Sequence, residues 1–112
     1  MAKSTNRVAS RYTQDALALL AAMIREARLE RKMPARELAE RAGISRGLLQ
    51  RIEKGDPNCG IGVVFEVAHL LGITLFECDS RALSHLLTQK KEKLSLLPKA
   101  ARKPLRDVDD DF

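Results

Sequence analysis

Apolar residues recur at three- and four-residue steps along most of this 112-residue chain, the period of helices with one buried face. The first such segment covers residues 13–32, with Thr13 as N-cap and Leu17, Leu20, Ile24 and Ala27 as its stripe. Arg25, Glu26, Glu30 and Arg31 fall mostly off that stripe. Pro34 ends the segment, because the residue before a proline avoids the helical region. The next stretch, residues 34–55 (PARELAERAGISRGLLQRIEKG), reads as two short helices around a tight turn. Leu38, Ala39 and Ala42 give the first an apolar side, and Gly43 stands where a helix end calls for a positive φ. Ile44 plugs the turn, Ser45 is a good N-cap, and Leu48, Leu49 and Ile52 form the stripe of the second, which Gly55 closes.

After the turn-rich Asp56-Pro57-Asn58-Cys59-Gly60, a helix is expected from Ile61 or Gly62 to Leu71, buried through Val63, Val64, Val67, Leu70 and Leu71 and ended by Gly72. Residues 73–78 (ITLFEC) stay open between a strand, which their β-rich composition favours, and a short helix. Ser80 is expected to cap a last helix over residues 80–97 with Leu83, Leu86, Leu87, Leu94 and Leu97 along one side, stopped by Pro98. Residues 1–12 and 98–112 lack periodicity and are expected to be disordered. The first of these carries Lys3, Arg7 and Arg11, a flexible basic arm.

The polar positions of residues 45–54 change the picture. Arg46, Gln50, Arg51 and Lys54 lie largely outside the apolar stripe, so the second short helix has a basic, polar face. Two helices, a glycine turn and such a second helix make a helix-turn-helix, whose second helix enters the DNA major groove. Ser45 and the helix N-terminus suit a phosphate. Arg46 suits a bidentate contact with a guanine, Gly47 permits close backbone approach, and Gln50 suits a phosphate or a base. Arg51, about 1.4 turns beyond Arg46, reaches the same groove at a different azimuth.

Several anchors in order carry a family resemblance: Glu37-Leu38-Ala39, Ala42-Gly43-Ile44-Ser45, Leu49-x-x-Ile52-Glu53-x-Gly55, upstream Arg25-x-x-Arg28, and downstream Val67-Ala68-x-x-Leu71-Gly72-Ile73. Over about residues 16–76 the chain resembles the lambda-repressor-like, Cro-type helix-turn-helix regulators (the xenobiotic-response-element family). The resemblance implies an all-α bundle, a helical turn rather than a strand at 73–78, and a salt bridge between Arg28 and Glu53 that orients the recognition helix. One departure is informative. Where relatives begin their second helix with Ser or Thr followed by Gln, this chain has Pro34 and Ala35, so neither the capping side chain nor the glutamine's phosphate contact is available. Arg36 is the candidate replacement for that contact.

Charge is consistent with a polyanionic partner. The chain carries 20 Lys and Arg against 15 Asp and Glu, a net +5. Four of those acids, Asp107 and Asp109–Asp111, sit together at the end, so the remainder is more basic than the total suggests. Hydrophobic residues make up 45% of the chain but aromatics only 4%, so a small aliphatic core is expected, in one domain with tails. Residues 1–13 are polar and no run of apolar residues spans a bilayer, from which a cytoplasmic, nucleoid-associated protein is expected. Cys59 and Cys78 form no CxxC pattern and are expected to be reduced thiols. His69 and His85 have no ligand-spaced partners, so neither a metal nor another cofactor is expected, and no catalytic constellation points to an enzyme.

The resulting expectation is a dimeric, sequence-specific repressor of double-stranded operator DNA. Its domain spans residues 13–78, followed by a helix over 79–97 that either packs on its own domain or dimerises through Leu83, Leu86, Leu87 and Leu94. Val108, Asp109, Asp110, Asp111 and Phe112 read as a partner-binding peptide, hydrophobic at both ends with acids between. That tail, with Gly55-Asp56-Pro57 and Leu96-Leu97-Pro98, is similar to small antitoxins of the HipB-like group, which implies a kinase-like HipA toxin as partner. The alternatives are a stand-alone phage-type or restriction-control regulator, and a protein-interaction module that no longer binds DNA.

Overall fold

A computed structural model describes residues 9–101. The chain divides into two compact units, Met1–Glu77 and Cys78–Phe112. The described part of the first holds α1 (Arg11–Glu30), α2 (Ala35–Ala42), α3 (Arg46–Glu53), α4 (Ile61–Leu70) and a 3₁₀ turn, Leu75–Glu77. The second holds α5 (Ser80–Ser95). With no strand among the described residues, this is an all-α, lambda-repressor-like bundle. No described helix is long and apolar enough to cross a membrane.

The core follows from the apolar stripes. α2 packs on α3 and α4, and α1 packs on α3. Ile24, Leu38, Leu49, Val67 and Leu71 are the largest side chains sealed inside, with Ala39 and Ile52 beside them. Leu20, Ala27, Leu48, Val63, Val64 and Leu70 flank this cluster. Three core residues escape the apolar stripes: Ala21 on α1, Ala68 on α4, and Cys59, which lies in a segment that reads as a solvent-facing turn and joins the core cluster. Burial pushes the Cys59 thiol up, which keeps it protonated and unreactive.

Helices of eight or ten residues are marginal in isolation, so their ends matter. α1 begins three residues earlier than a Thr13 cap implies, taking in Arg11, Tyr12 and Thr13, and ends at Glu30, short of Lys32. Its N-cap is Ser10, not Thr13: the Ser10 hydroxyl accepts the Thr13 N–H at 3.2 Å, while the Gln14 side chain donates to the Ala9 carbonyl at 2.8 Å. α5 likewise starts from Asp79, whose carboxylate accepts the Ala82 N–H at 2.8 Å, and Ser80 is its first helical residue. A carboxylate is favoured over a hydroxyl there because the helix N-terminus is partly positive. α5 stops at Ser95, short of Leu97. Within residues 73–78, Leu75–Glu77 form the 3₁₀ turn and no strand is present. Nothing beside them offers a ladder to pair with, whereas Phe76 packs edge-on against Phe65 with ring centres 6.4 Å apart.

α1 to α4 all end the same way: the residue after the last helical turn takes positive φ, and two backbone N–H groups turn back onto the last free carbonyls. At α2, Gly43 has φ 71°, its N–H reaches Glu40 O at 3.1 Å and Ile44 N–H reaches Ala39 O at 3.0 Å. Gly55 and Gly72 close α3 and α4 alike. At α1 the position is filled by Lys32, with φ 54°. The same bonds form, Lys32 N–H to Leu29 O at 2.9 Å and Met33 N–H to Arg28 O at 3.1 Å.

This contrast predicts opposite effects of two substitutions. Lys32→Gly should stabilise the domain by about 1 kcal/mol, the left-handed strain of a side-chain-bearing residue less the extra freedom of glycine. Gly43→Ala should destabilise it by roughly 1–2 kcal/mol, although a Cβ there meets nothing within 4 Å. Thermal melts followed by circular dichroism measure both. A Tm that does not rise for Lys32→Gly would remove the strain argument at position 32.

Candidate nucleic-acid interface

α3 is built to show one face and bury the other. Leu49 and Ile52 are sealed in the core with Leu48 half-buried, while Arg46, Gly47, Gln50, Arg51 and Lys54 are exposed. At 3.6 residues per turn these five occupy one continuous arc of the helix. Ser45 begins the helix by accepting the Leu48 N–H at 3.0 Å. That bond uses an acceptor lone pair of the hydroxyl, so its own O–H is available to donate to an anion. Gly47 has open space around it, with Ser45 Oγ the nearest atom to an added Cβ at 3.9 Å. Packing therefore does not require glycine there. α2 lies across the tight turn. It starts from Pro34 without any side-chain cap and carries Arg36 exposed in its first turn.

A buried ion pair ties α1 to α3. Arg28 of α1 meets Glu53 at the end of α3 through two parallel bonds, Nε to Oε2 at 2.7 Å and Nη2 to Oε1 at 3.0 Å. Its Nη1 donates to the Met33 carbonyl at 3.0 Å. The two side chains are 10% and 7% exposed, and Arg28 is the buried charge among the described residues. The hydrogen bond to Glu53 raises the Arg28 pKa despite burial, so the guanidinium stays charged. One side chain thus links the end of α1, the loop leading into α2, and the end of α3. The Met33 contact has no signature in the spacing of charged residues, since it is made to a backbone carbonyl.

Arg46, Arg36, Gln50 and Lys54 form no side-chain hydrogen bond or ion pair among the described residues. Arg51 differs. Its Nε donates to Asp56 Oδ2 at 2.8 Å and its Nη2 to the Asn58 carbonyl at 3.0 Å. Asp56 Oδ1 also accepts the Asn58 N–H at 2.8 Å. The Arg51 hydrogen bond, followed by the Asn58 backbone, holds the Asp56 carboxyl below the usual carboxylate range. The Arg51–Asp56 bond is accordingly intact above that range and lost as pH falls through the lowered value. Asp56 and Asn58 lie in the following turn and carry no periodic signal, so helical spacing alone places Arg51 toward the groove without these partners.

The remaining candidate residues belong to other parts of the chain. Leu83, Leu86, Leu87 and Leu94 are exposed on α5. Val108, Asp109, Asp110, Asp111 and Phe112 lie outside the described residues. His69 and His85 are exposed on α4 and α5, and the described residues gather no group of three His, Cys, Asp or Glu able to hold a metal.

A short helix, a turn closed by Gly43 and a second helix with an exposed basic arc, locked to α1, define a helix-turn-helix DNA-binding domain. The family model described as "Helix-turn-helix" matches residues 24–78, just under half of the chain. The match supports a DNA-binding transcriptional regulator built on a non-enzymatic domain. No match was found among curated proteins or among solved structures.

The buried pair yields a quantitative expectation. Arg28→Met or Glu53→Leu alone should cost about 3–5 kcal/mol, because each leaves an unpaired buried charge. A domain this small has few kcal/mol to lose, so either single variant should be largely unfolded at ordinary temperature. The double variant Arg28→Met/Glu53→Leu should be far more stable than the two losses added together. Urea unfolding of all four proteins measures this, and simple additivity would show that the two side chains do not act as a pair.

Proposed function

We propose that the chain is a dimeric, sequence-specific transcriptional repressor that reads operator DNA with α3 and serves as antitoxin and autoregulator of a HipA-like kinase toxin. The observation that carries the DNA-reading part is the exposed arc of Arg46, Gly47, Gln50, Arg51 and Lys54 on a helix whose opposite face is core. Ser45 and the first turn of α3 hold a backbone phosphate, as helix N-termini do. Arg46 reads a guanine through its fork, Gln50 contacts a base or phosphate, and Arg36 on α2 and Lys54 approach the backbone. Phosphate contacts set the register and base contacts the sequence.

Dimerisation through α5 is supported by its leucines. Leu83, Leu86, Leu87 and Leu94 are between 36% and 65% exposed, and none of the residues of α5 is buried, leaving apolar surface for a second copy. A twofold dimer reads two inverted half-sites about 34 Å apart or a multiple of that. The antitoxin role rests on the HipB-like pattern of Gly55-Asp56-Pro57, Leu96-Leu97-Pro98 and the acidic peptide from Val108 to Phe112. The acids repel DNA phosphates but would be steered to a basic groove on a partner, where Val108 and Phe112 anchor. Such a regulator works in the cytoplasm, on the nucleoid.

Two variants separate recognition from folding. Arg46→Ala should keep the fold and lose about 1–3 kcal/mol of operator affinity, with relaxed preference at one base position. Gly47→Ala should raise helix stability by up to about 1 kcal/mol while weakening DNA binding, because the added methyl meets only the incoming DNA. Gel-shift titrations and footprinting on the chain's own promoter, with circular dichroism alongside, provide both readings. Unchanged affinity in both variants would dismiss α3 as the reading helix.

The partner peptide has its own test. Deleting residues 107–112 should leave operator binding intact or slightly tighter and weaken capture of the kinase-like protein encoded beside it. Loss of DNA binding, or undiminished capture, would count against the antitoxin reading.

A further inference from the structure

We infer that Asp56 and the Asn58 carbonyl are a positioning device for Arg51, holding its guanidinium so that the outer fork meets a pair of acceptor atoms on DNA. The inference rests on the reading of α3 as the DNA-contacting helix and goes beyond it by assigning a task to the turn that follows. A guanidinium has five N–H bonds in a fixed plane. Asp56 takes the one on Nε and Asn58 takes one on Nη2, which lie along the same lateral edge. Both bonds of Nη1 and the second of Nη2 are left. One N–H of Nη1 and the remaining one of Nη2 form the end-on fork that matches guanine O6 and N7 or two phosphate oxygens.

The brace is itself fixed. The Asp56 N–H donates to the Arg51 carbonyl at 3.1 Å, part of the backbone closure around Gly55. The other carboxylate oxygen of Asp56 accepts the Asn58 N–H at 2.8 Å. Arg51, Asp56 and Asn58 therefore form a closed ring of four hydrogen bonds, two through the main chain and two through the guanidinium. Arg51 remains 49% exposed at its side chain and Asp56 30%, so the pair is open to solvent on the outer side. An exposed ion pair contributes little to stability. What it does here is remove rotamers from a long side chain before DNA arrives, so that less entropy is lost on binding. Arg46, which has no such partner, gains order only in the complex.

A carboxylate next to DNA would otherwise weaken binding by repelling phosphate, so the two roles for Asp56 predict opposite signs. The probe is the duplex preferred by the full-length wild-type chain in selection from a randomised library. Asp56→Ala should weaken binding to it by roughly two- to tenfold, the cost of ordering one long side chain at an interface. Asp56→Asn has a single acceptor oxygen and can keep the Arg51 contact or the Asn58 N–H contact but not both, so it should recover only part of the loss. In an Arg51→Ala background Asp56→Ala should weaken nothing further.

A scan of single base-pair changes distinguishes the two sources of acceptors. If the fork reads guanine, Arg51→Ala and Asp56→Ala relax preference at the same base pair. If it holds phosphate, both lower affinity evenly across sequences and reduce the salt slope by about 1. Tighter binding by Asp56→Ala overturns the inference, as does a loss that persists without Arg51. Arg46→Ala is the independent control: its loss of binding upholds α3 as the reading helix whatever Asp56 does.

Discussion

The Arg28–Glu53 pair is the constraint on which the geometry of the DNA-binding unit depends. Two charges at this depth are stable only together, because each without the other would bear the full cost of desolvation. Their bidentate contact requires the end of α1 and the end of α3 to sit in one relative orientation. The third bond of Arg28, to the Met33 carbonyl, brings the entry to α2 under the same control. Apolar packing alone tolerates sliding and small rotations, as aliphatic side chains of similar size repack. A two-point hydrogen-bonded pair does not, and a helix that must present side chains to base edges benefits from that rigidity.

Around this tie, stability is gathered from short helices with well-made ends. α2 and α3 have eight residues each, too few to persist without capping and tertiary contacts. The repeated left-handed closures satisfy free carbonyls and reverse the chain in few residues, which brings α2, α3 and α4 against one small core. They also place the residues just beyond each helix. The closure at Gly55 delivers Asp56 to the flank of Arg51, so a feature of backbone economy determines the surroundings of an exposed arginine on α3.

The exposed arc of α3 consequently holds side chains in two states. Arg46, Gln50 and Lys54 are unattached and adaptable, whereas Arg51 is held in place at the edge of the arc. A regulator gains different things from the two. The unattached side chains can adjust to phosphate or base acceptors as DNA arrives, at a greater cost in side-chain entropy. Under the proposal above, the pre-ordered Arg51 fork loses less side-chain entropy on binding, whether it meets a guanine or two phosphate oxygens.

Periodicity, turn residues and charged positions in the sequence were enough to determine the helical class, the placing of α2, α3 and α4, and the division of α3 into a core face and a polar face. These depend on local spacing, which is visible residue by residue. The Arg28–Glu53 partnership was legible only through family resemblance, since two charges twenty-five positions apart carry no local signal of meeting. Tertiary structure decided the rest. It chose Ser10 and Asp79 over Thr13 and Ser80 as caps, drew Cys59 out of a turn and into the core, and made a 3₁₀ turn of a segment with strand-like composition because no neighbouring strand was there to pair with it. It also forced Lys32 into a conformation that the other three helix ends give to glycine, and bonded Arg51 to Asp56. In each case the outcome depended on which groups the folded chain brings within hydrogen-bonding or packing distance, a property of the whole fold and not of any window along the sequence.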